Sequence, residues 1–300
     1  MRAAMVVHPA SGLGRAGRIA DSVAARLRGA VDDLITVAAS TVEESRRLMH
    51  EAHGVALDLL VVVGGDGSAH QGVQFCADTG VALGVVPAGT GNDLARTLGA
   101  PKDPLEATDA LVTAIKAGER SKLDLGRVTG GPWFAGVLCA GFDSAVNERA
   151  NRMRWPSGPR RYDLAILAEL AKLRPGPLTV VEDGERAEYD ATQIAVGNIP
   201  HYGGGIPICP DADPTDGVFD ITLVGRASRF DLVKMLPGLR TGKHVLNPIV
   251  STSRAREVRL GGADGGANGW VAYADGERIG PLPVEVTCVP GALTVVGSTT

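Results

Sequence analysis

In the first third of the chain, apolar residues form short unbroken runs separated by segments where they recur every three or four positions. The runs Ala3–Val7, Leu34–Ala38, Leu59–Val63 and Val81–Val86 read as buried strands. The periodic segments between them predict helices over Gly17–Leu27, Val42–Ala52, Ser68–Ala77 and Pro104–Lys116. Thr41 and Asp103 stand where N-caps belong, and Gly80 and Gly118 where helices stop. Strands buried on both sides and alternating with helices imply a parallel sheet covered on both faces.

After Lys122 the rhythm changes. "KLDLGRV", "PWFAGVLCAG", "PLTVVE", "YDATQIAVGN", "VFDITLV", "REVRLGG", "GWVAYADGE" and "PVEVTCV" are short strands parted by Gly, Pro and Asp turns, the pattern of an antiparallel sandwich or barrel. One helical insertion, roughly Ser144–Leu173, interrupts them, and "GALTVVGS" reads as one more strand able to return to the first domain. The expected plan is an α/β domain over residues 1–122 with a return strand at 290–300, and an all-β domain over 123–289.

The chain has 300 residues, 44% of them hydrophobic and only 4% aromatic, with acids exceeding bases by 34 to 30. No overall basic field argues for nucleic acid. Cys76, Cys139, Cys209 and Cys288 are far apart and read as reduced, partly buried thiols of a cytosolic protein. The chain starts on "AAMVVH" with no basic segment and long apolar core behind it, so no signal peptide is expected. No apolar run approaches the roughly 20 residues a membrane span needs. Any contact with a membrane would be made from the surface.

"GLGRAG", Gly12–Gly17, matches the dinucleotide pattern G-x-G-x-x-G. However, "HPAS" with Pro9 parts it from the first strand, and Asp32 and Asp33 precede the second strand instead of ending it. A loop that touches nucleotide phosphate in another way is the better reading. Gly64-Gly65-Asp66-Gly67-Ser68 lies between a strand and a helix start, where amides and the helix dipole favour an anion. A carboxylate fits there if a divalent cation bridges it to phosphate, or if it orients a ligand hydroxyl. "VVPAGTGNDLARTLG" repeats the design, with Thr90 supplying a hydroxyl and Asn92-Asp93 opening a helix. Consecutive parallel strands carry both loops to one sheet edge, where α/β proteins bind ligands. Both loops are expected as solvent-edge turns, and no P-loop sequence occurs.

The pairing of "GGDGS" with "PAGTGNDLAR" resembles the diacylglycerol kinase catalytic domain family, which includes soluble bacterial lipid kinases and sphingosine kinases. "HPASG", "KLDLG", "CAGFDSAV" and "GNIPHYGGGIPICPDADPTDGVFDITLV" extend the resemblance over nearly the whole chain. It departs from the family pattern at His8, Ser68 and the "SAHQG" that follows the first loop.

The resemblance implies a phosphoryl transfer from MgATP to a lipid hydroxyl, most simply that of diacylglycerol. Gly64, Gly65, Asp66, Gly67, Ser68, Thr90 and Asn92 would surround the phosphates, with Pro9, Ser11, Gly12 and Thr41 nearby. Asp66 and Asp93 would organise Mg²⁺, and Glu277 would be the general base. Asp183-Gly184-Glu185 and Asp275-Gly276-Glu277 are locally alike; only the resemblance selects the second, leaving the first a plain hairpin turn. It also implies a structural Mg²⁺ on the Asp216 carboxylate and backbone oxygens near Asp213 and Val218. The arginines of Arg149–Arg161 around Trp155 suit an anionic bilayer surface, so the expected location is cytoplasmic, peripheral to the inner face of the membrane. NAD kinase, or a nucleotide- and lipid-binding regulator with little turnover, are the rival readings. The oligomeric state is left open, a homodimer included.

Overall fold

The structure, a computed structural model, describes residues 1–54, 56–153, 155, 159–262 and 269–297, with the side chains of Pro159, Arg160 and Asp163 outside the description. The chain divides into two compact units. One comprises Met1–Leu125, Gly203–Gly205 and Pro290–Thr300, and the other Gly126–Tyr202 and Ile206–Val289.

The first unit runs β1 (Arg2–Val7), α1 (Ser11–Arg28), β2 (Asp33–Ala38), α2 (Val42–His53), β3 (Leu59–Gly64), α3 (Asp66–Thr79), β4 (Ala82–Pro87), α4 (Asp93–Thr97) and α5 (Pro104–Ala117). Its strands pair in parallel in the order β4–β3–β1–β2, with Val7 opposite both Val63 and Ala38. The end of the last strand of the chain joins in parallel at Val295 opposite Leu83. Every residue of β3 and β4 is buried, so their sequences are continuous apolar runs. The order makes the chain step one way from β1 and the other way from β3. Right-handed crossovers then put α1 on one face and α2 and α3 on the other, and α1 packs on α5 while α2 packs on α3.

The helix ends follow local chemistry. Thr41 Oγ1 accepts the Glu44 N–H at 3.1 Å, and Asp103 Oδ1 accepts the Leu105 N–H at 2.9 Å. Gly80 and Gly118 stop their helices in the left-handed conformation, at φ 76° and 70°. α3 starts at Asp66 rather than Ser68, because the Gly65 carbonyl already accepts the Ala69 N–H and draws Asp66 and Gly67 into the first turn.

The second unit contains β5 (Arg120–Val128, from Gly126 onward), β6 (Trp133–Phe134), β7 (Val137–Gly141), α6 (Phe142–Arg152), α7 (Pro159–Ala171), β8 (Gly176–Glu182), β9 (Glu185–Gly197), β10 (His201–Tyr202) and β11 (Ile206–Pro207). It continues with β12 (Phe219–Gly225), α8 (Arg229–Leu239), a 3₁₀ turn (Lys243–Leu246), β13 (Val250–Ala255), β14 (Glu257–Gly261), β15 (Val271–Ala274), β16 (Glu277–Pro281) and β17 (Val284–Val296, to Val289). The pairing is antiparallel. β9 is the spine: its first half pairs with β8, and its second half lies between β7 and β12. The α/β unit and β-sandwich unit are the architecture expected from the pattern.

Four details differ. The helical insertion is two helices, α6 and α7. "PVEVTCV" and "GALTVVGS" are one strand, because the Gly291 N–H turns out to the Asp124 carboxylate at 2.7 Å while the strand continues past Pro290. α8 was not foreseen in a β-rich region: a Ser228–Asp231 capping box starts it, and Pro237 and Gly238 in its last turn blur the helical signal. None of the four cysteines is in a disulfide, and all are fully buried rather than partly so. Burial pushes the Cys139 and Cys209 thiols up to about 12, which keeps them protonated and unreactive.

In the sandwich core, Phe134 stacks on Phe219 with ring centroids 5.6 Å apart. Gly126 lies beneath the ring, where a Cβ would come within 2.0 Å of Phe134. Phe134→Ala is expected to lower stability to denaturant by about 3–5 kcal/mol; a loss below about 1 kcal/mol would show that the neighbouring side chains close the cavity.

Candidate active site

Because β1, β2, β3 and β4 run in parallel, the loops that follow them leave from the same sheet edge. The reversal of strand order falls between β1 and β3, where an open α/β sheet forms its ligand crevice. The β1 loop carries Pro9, Ser11 and Gly12, the β2 loop Thr41, the β3 loop Gly64–Ser68 and the β4 loop Thr90 and Asn92. These positions are therefore brought to one edge of the first unit.

The β3 and β4 loops are joined through one carboxylate. Asp66 Oδ1 accepts the Asp93 N–H at 2.6 Å, and Asp66 Oδ2 accepts the Asn92 N–H at 2.8 Å. Asn92, left-handed at φ 58°, folds the β4 loop back on itself: Oδ1 accepts the Gly89 N–H at 3.0 Å and Nδ2 donates to the Gly89 carbonyl at 2.9 Å. The glycines are dictated by closeness. A Cβ on Gly89 would stand 2.4 Å from Gly65 Cα, and one on Gly91 2.2 Å from Asp66 Oδ2. Asp93 is buried, pairs with Arg96 at 2.5 Å and accepts the Gly204 N–H at 2.9 Å. The expectation of two solvent-edge turns is corrected here, since the acids fasten backbone inside the unit.

The β1 loop approaches from the other side. Gly12, Leu13 and Gly14 are all left-handed, at φ 59°, 58° and 81°, and a Cβ on Gly12 would lie 1.8 Å from the Ala88 carbonyl oxygen. Ser11 Oγ and Ser68 Oγ are 3.5 Å apart. The N-cap of α3 is Gly65, which has no side chain to offer the first N–H groups of the helix. Phosphate fits this setting: Gly64–Ser68 offers backbone donors at a helix N-terminus, with exposed Thr90 close by in sequence to Asn92. Thr41 is exposed and its hydroxyl is engaged as the cap of α2. His70 and Gln71, two of the departures from the family pattern, are buried, and Gln71 accepts from Arg46 Nε at 2.8 Å. They serve the packing of α2 on α3. Burial lowers another departure, His8, below the ordinary imidazole range.

For metal the donor set fits less well. Among the described residues no group of three or more His, Cys, Asp or Glu could hold an ion. Asp213 Oδ1 accepts both the backbone N–H and the hydroxyl of Thr215, at 2.9 and 2.6 Å. Asp216 accepts the Val218 N–H at 3.2 Å and pairs with Arg254, whose Nε also reaches Asp220 at 3.3 Å. The guanidinium supplies the positive charge between these two carboxylates.

In the second unit the two Asp-Gly-Glu turns are built alike. Each Asp is left-handed, at φ 47° for Asp183 and 52° for Asp275, and each turn closes a hairpin. The Asp183 carboxylate accepts the Arg256 and Glu257 N–H groups, and the Asp275 carboxylate those of Ala135 and Gly136. Glu185 and Glu277 are both exposed. Local geometry does not separate them.

The sequence reading did not assign Asp143 to the site. Gly141 turns β7 into α6 at φ 101°, where a Cβ would lie 2.5 Å from the Thr192 carbonyl oxygen, and Asp143 follows in the first turn. The Tyr202 hydroxyl donates to its carboxylate. Burial raises Asp143 to about 6 against the lowering effect of that hydrogen bond. A cleft of about 480 Å³ lies beside α6, lined by Phe142, Glu148, Arg152, Met153 and Trp270 among others. The glycine before an acid in "CAGFDSAV" was the available signal; pairing it with Tyr202 needs the fold. Of the basic stretch Arg149–Arg161, Arg149 pairs with Glu169 and Arg152 with Glu148. Trp155 is exposed, while Arg154 and the Arg160 side chain lie outside the described residues.

Residues 2–128 match the diacylglycerol kinase catalytic domain, and residues 136–297 match the YegS C-terminal NAD kinase beta sandwich-like domain. A diacylglycerol kinase of Mycobacterium tuberculosis is 41% identical over 297 residues, covering 97% of this chain and 93% of its own. One from Bacillus subtilis is 26% identical over 288 residues, covering 95% and 92%. A crystal structure of a Bacillus anthracis diacylglycerol kinase superposes with a TM-score of 0.74 at 19% identity, covering 99% of this chain and 97% of that one, and so shares the fold.

Two outcomes follow from the geometry. Asp66→Asn leaves one of two backbone N–H groups facing an amide instead of a carboxylate oxygen. It should cost about 1–3 kcal/mol in denaturant unfolding and weaken ATP-analogue binding; unchanged stability would mean that the loops are held together elsewhere. Between the ordinary value of 3.8 and about 6, folded Asp143 keeps a proton that the unfolded chain has lost. Stability should therefore fall as pH rises through that window. Asp143→Asn should remove that part of the pH dependence, read from unfolding midpoints at each pH.

Proposed function

The chain belongs to the diacylglycerol kinase family, and on that premise we propose that it transfers the γ-phosphoryl group of ATP to the hydroxyl of a membrane lipid, with diacylglycerol the first acceptor and phosphatidic acid the product. The observation that carries the reading is the joining of the two glycine loops by Asp66 at the β1–β3 crevice. It fixes backbone donors where phosphate would bind, and phosphoryl transfer is catalysed chiefly by positioning and charge neutralisation.

Bound MgATP would bring the transferable group and a cation that neutralises its charge. Since Asp66 and Asp93 already bind protein groups, they would hold that cation through their remaining lone pairs, alongside the phosphates. Gly64–Ser68 and the start of α3 would orient the phosphates, with Thr90 adding a hydroxyl. Glu277 would take the proton from the lipid hydroxyl as its oxygen bonds to the γ-phosphorus and ADP leaves. The cleft beside α6 combines aromatic and thioether surface with ionic groups, a setting suited to an amphipathic acceptor. No helix among the described residues is long and apolar enough to cross a membrane, so the enzyme would act from the bilayer surface, in contact with its cytoplasmic face.

Radiolabelled ATP offered with a panel of lipids and with NAD should yield labelled phosphatidic acid from diacylglycerol; label on NAD, or none on any lipid, would overturn the proposal. Glu277→Gln should lower turnover about 100-fold or more with nucleotide affinity kept, and Glu185→Gln should leave turnover alone. Equal losses would remove Glu277 from its role.

A further inference from the structure

α8 is apolar on more than one side. Met235, with half-buried Leu232, faces inward against Val224, Ala227 and Ile249. A second stripe points to solvent: Phe230 is 65% exposed, Val233 47% and Leu236 51%, and in the 3₁₀ turn packed on α8, Leu246 is 78% exposed. A helix whose inner stripe already satisfies the core does not need the outer one for folding, and leaving four large apolar side chains in water is unfavourable.

The charge around this stripe is one-sided. From Gly225 to Pro248 the chain carries Arg226, Arg229, Lys234, Arg240 and Lys243 against a single acid, Asp231, in a protein of net charge −4. Asp231 is held in the capping box, where the Ser228 donors keep its carboxyl below the usual carboxylate range. Arg226 pairs with Asp190. Among the described residues Arg229, Arg240 and Lys243 have no carboxylate partner, and Arg229 spans to the Ala171 carbonyl at the end of α7. Lys234 lies over the Phe230 ring at 4.4 Å. An apolar stripe with cations at its margins complements an anionic bilayer, where apolar side chains enter the headgroup–acyl boundary and Lys and Arg reach back to the phosphates.

We propose that α8 and the following 3₁₀ turn are a bilayer-docking element that inserts Phe230, Val233, Leu236 and Leu246 into the interface of an anionic membrane. This rests on the lipid kinase reading, and adds to it the surface that meets the lipid phase, distinct from Arg149–Arg161.

The test is flotation with vesicles of phosphatidylglycerol and phosphatidylcholine, or phosphatidylcholine alone, without nucleotide or diacylglycerol. Wild type should bind the anionic vesicles, and less so as salt shortens the Debye length from about 10 Å at about 0.1 M to about 3 Å at about 1 M. Lys234→Glu/Arg240→Glu/Lys243→Glu should weaken association by about 100-fold or more. Phe230→Ser/Leu236→Ser/Leu246→Ser should abolish it while melting like wild type, since those side chains are exposed. In Phe230→Trp, brominated acyl chains should quench fluorescence beyond the quenching in wild type. The proposal is overturned if both triple variants float as wild type does, or if the serine variant only dissolves a dimer seen in sedimentation and still floats. Phosphoryl transfer to a short-chain, water-soluble diacylglycerol tests the activity separately. Its absence with flotation intact counts against the kinase reading, and its survival with flotation unaffected by the variants counts against the docking element.

Discussion

The first unit depends on one carboxylate accepting two backbone N–H groups. Asp66 stands at the start of α3, and its two oxygens hold the Asn92 and Asp93 N–H groups of the next loop. Each bond is charge-assisted, and neither donor has a helical partner of its own, because both sit at the beginning of α4. The requirement spreads to the neighbours. Gly65 and Gly89 must lack side chains for the backbones to touch, Gly91 must leave room for the carboxylate, and Asn92 must tolerate a left-handed backbone. The acid in this glycine loop is explained first by this internal bond. Its charge is already partly spent on backbone donors before any ligand arrives, which lowers the repulsion that a bare carboxylate would exert on phosphate.

The second unit uses the same device twice. Asp183 and Asp275 each sit in a hairpin turn with a carboxylate that clasps two successive N–H groups of another segment of the unit. These clasps pin the hairpins β8–β9 and β15–β16 in place, so the exposed Glu after each turn stands on a fixed backbone. The like geometry of the two turns means that any difference in the chemistry of Glu185 and Glu277 must come from surroundings and not from the tripeptide. Asp143 and Tyr202 show the opposite case, where two residues far apart in the chain become one half-buried hydrogen-bonded pair, with the Asp143 carboxyl raised by burial.

Charge is distributed locally rather than globally. The chain is slightly acidic, yet its bases gather in short segments. In the α6–α7 segment, two arginines are matched by Glu148 and Glu169. Around α8, among the described residues, Arg229, Arg240 and Lys243 have no carboxylate partner, and the segment carries exposed apolar side chains. Similar stretches of basic sequence thus carry different fields once the acids of neighbouring elements are placed.

Much of the fold was legible in the sequence because its signals are local. Four unbroken apolar runs gave the parallel strands, the caps Thr41 and Asp103 gave helix starts, and Gly80 and Gly118 gave stops, each through bonds spanning only a few residues. The glycine loops were legible for the same reason, and parallel strands necessarily send them to one edge. The rest required tertiary structure. That the Asp66 carboxylate also clasps the N–H of Asn92, 26 residues on, is visible only once the loops are brought together. That Arg254, on β13, pairs with both Asp216 and Asp220 is likewise set by the fold and not by the spacing of the acids. α8 was hidden by Pro237 and Gly238, and its outer stripe can be told from its inner one only after the sandwich has covered Met235. Sequence spacing determines which backbone shapes are cheap, whereas which polar group meets which depends on distances closed only when the strands pair.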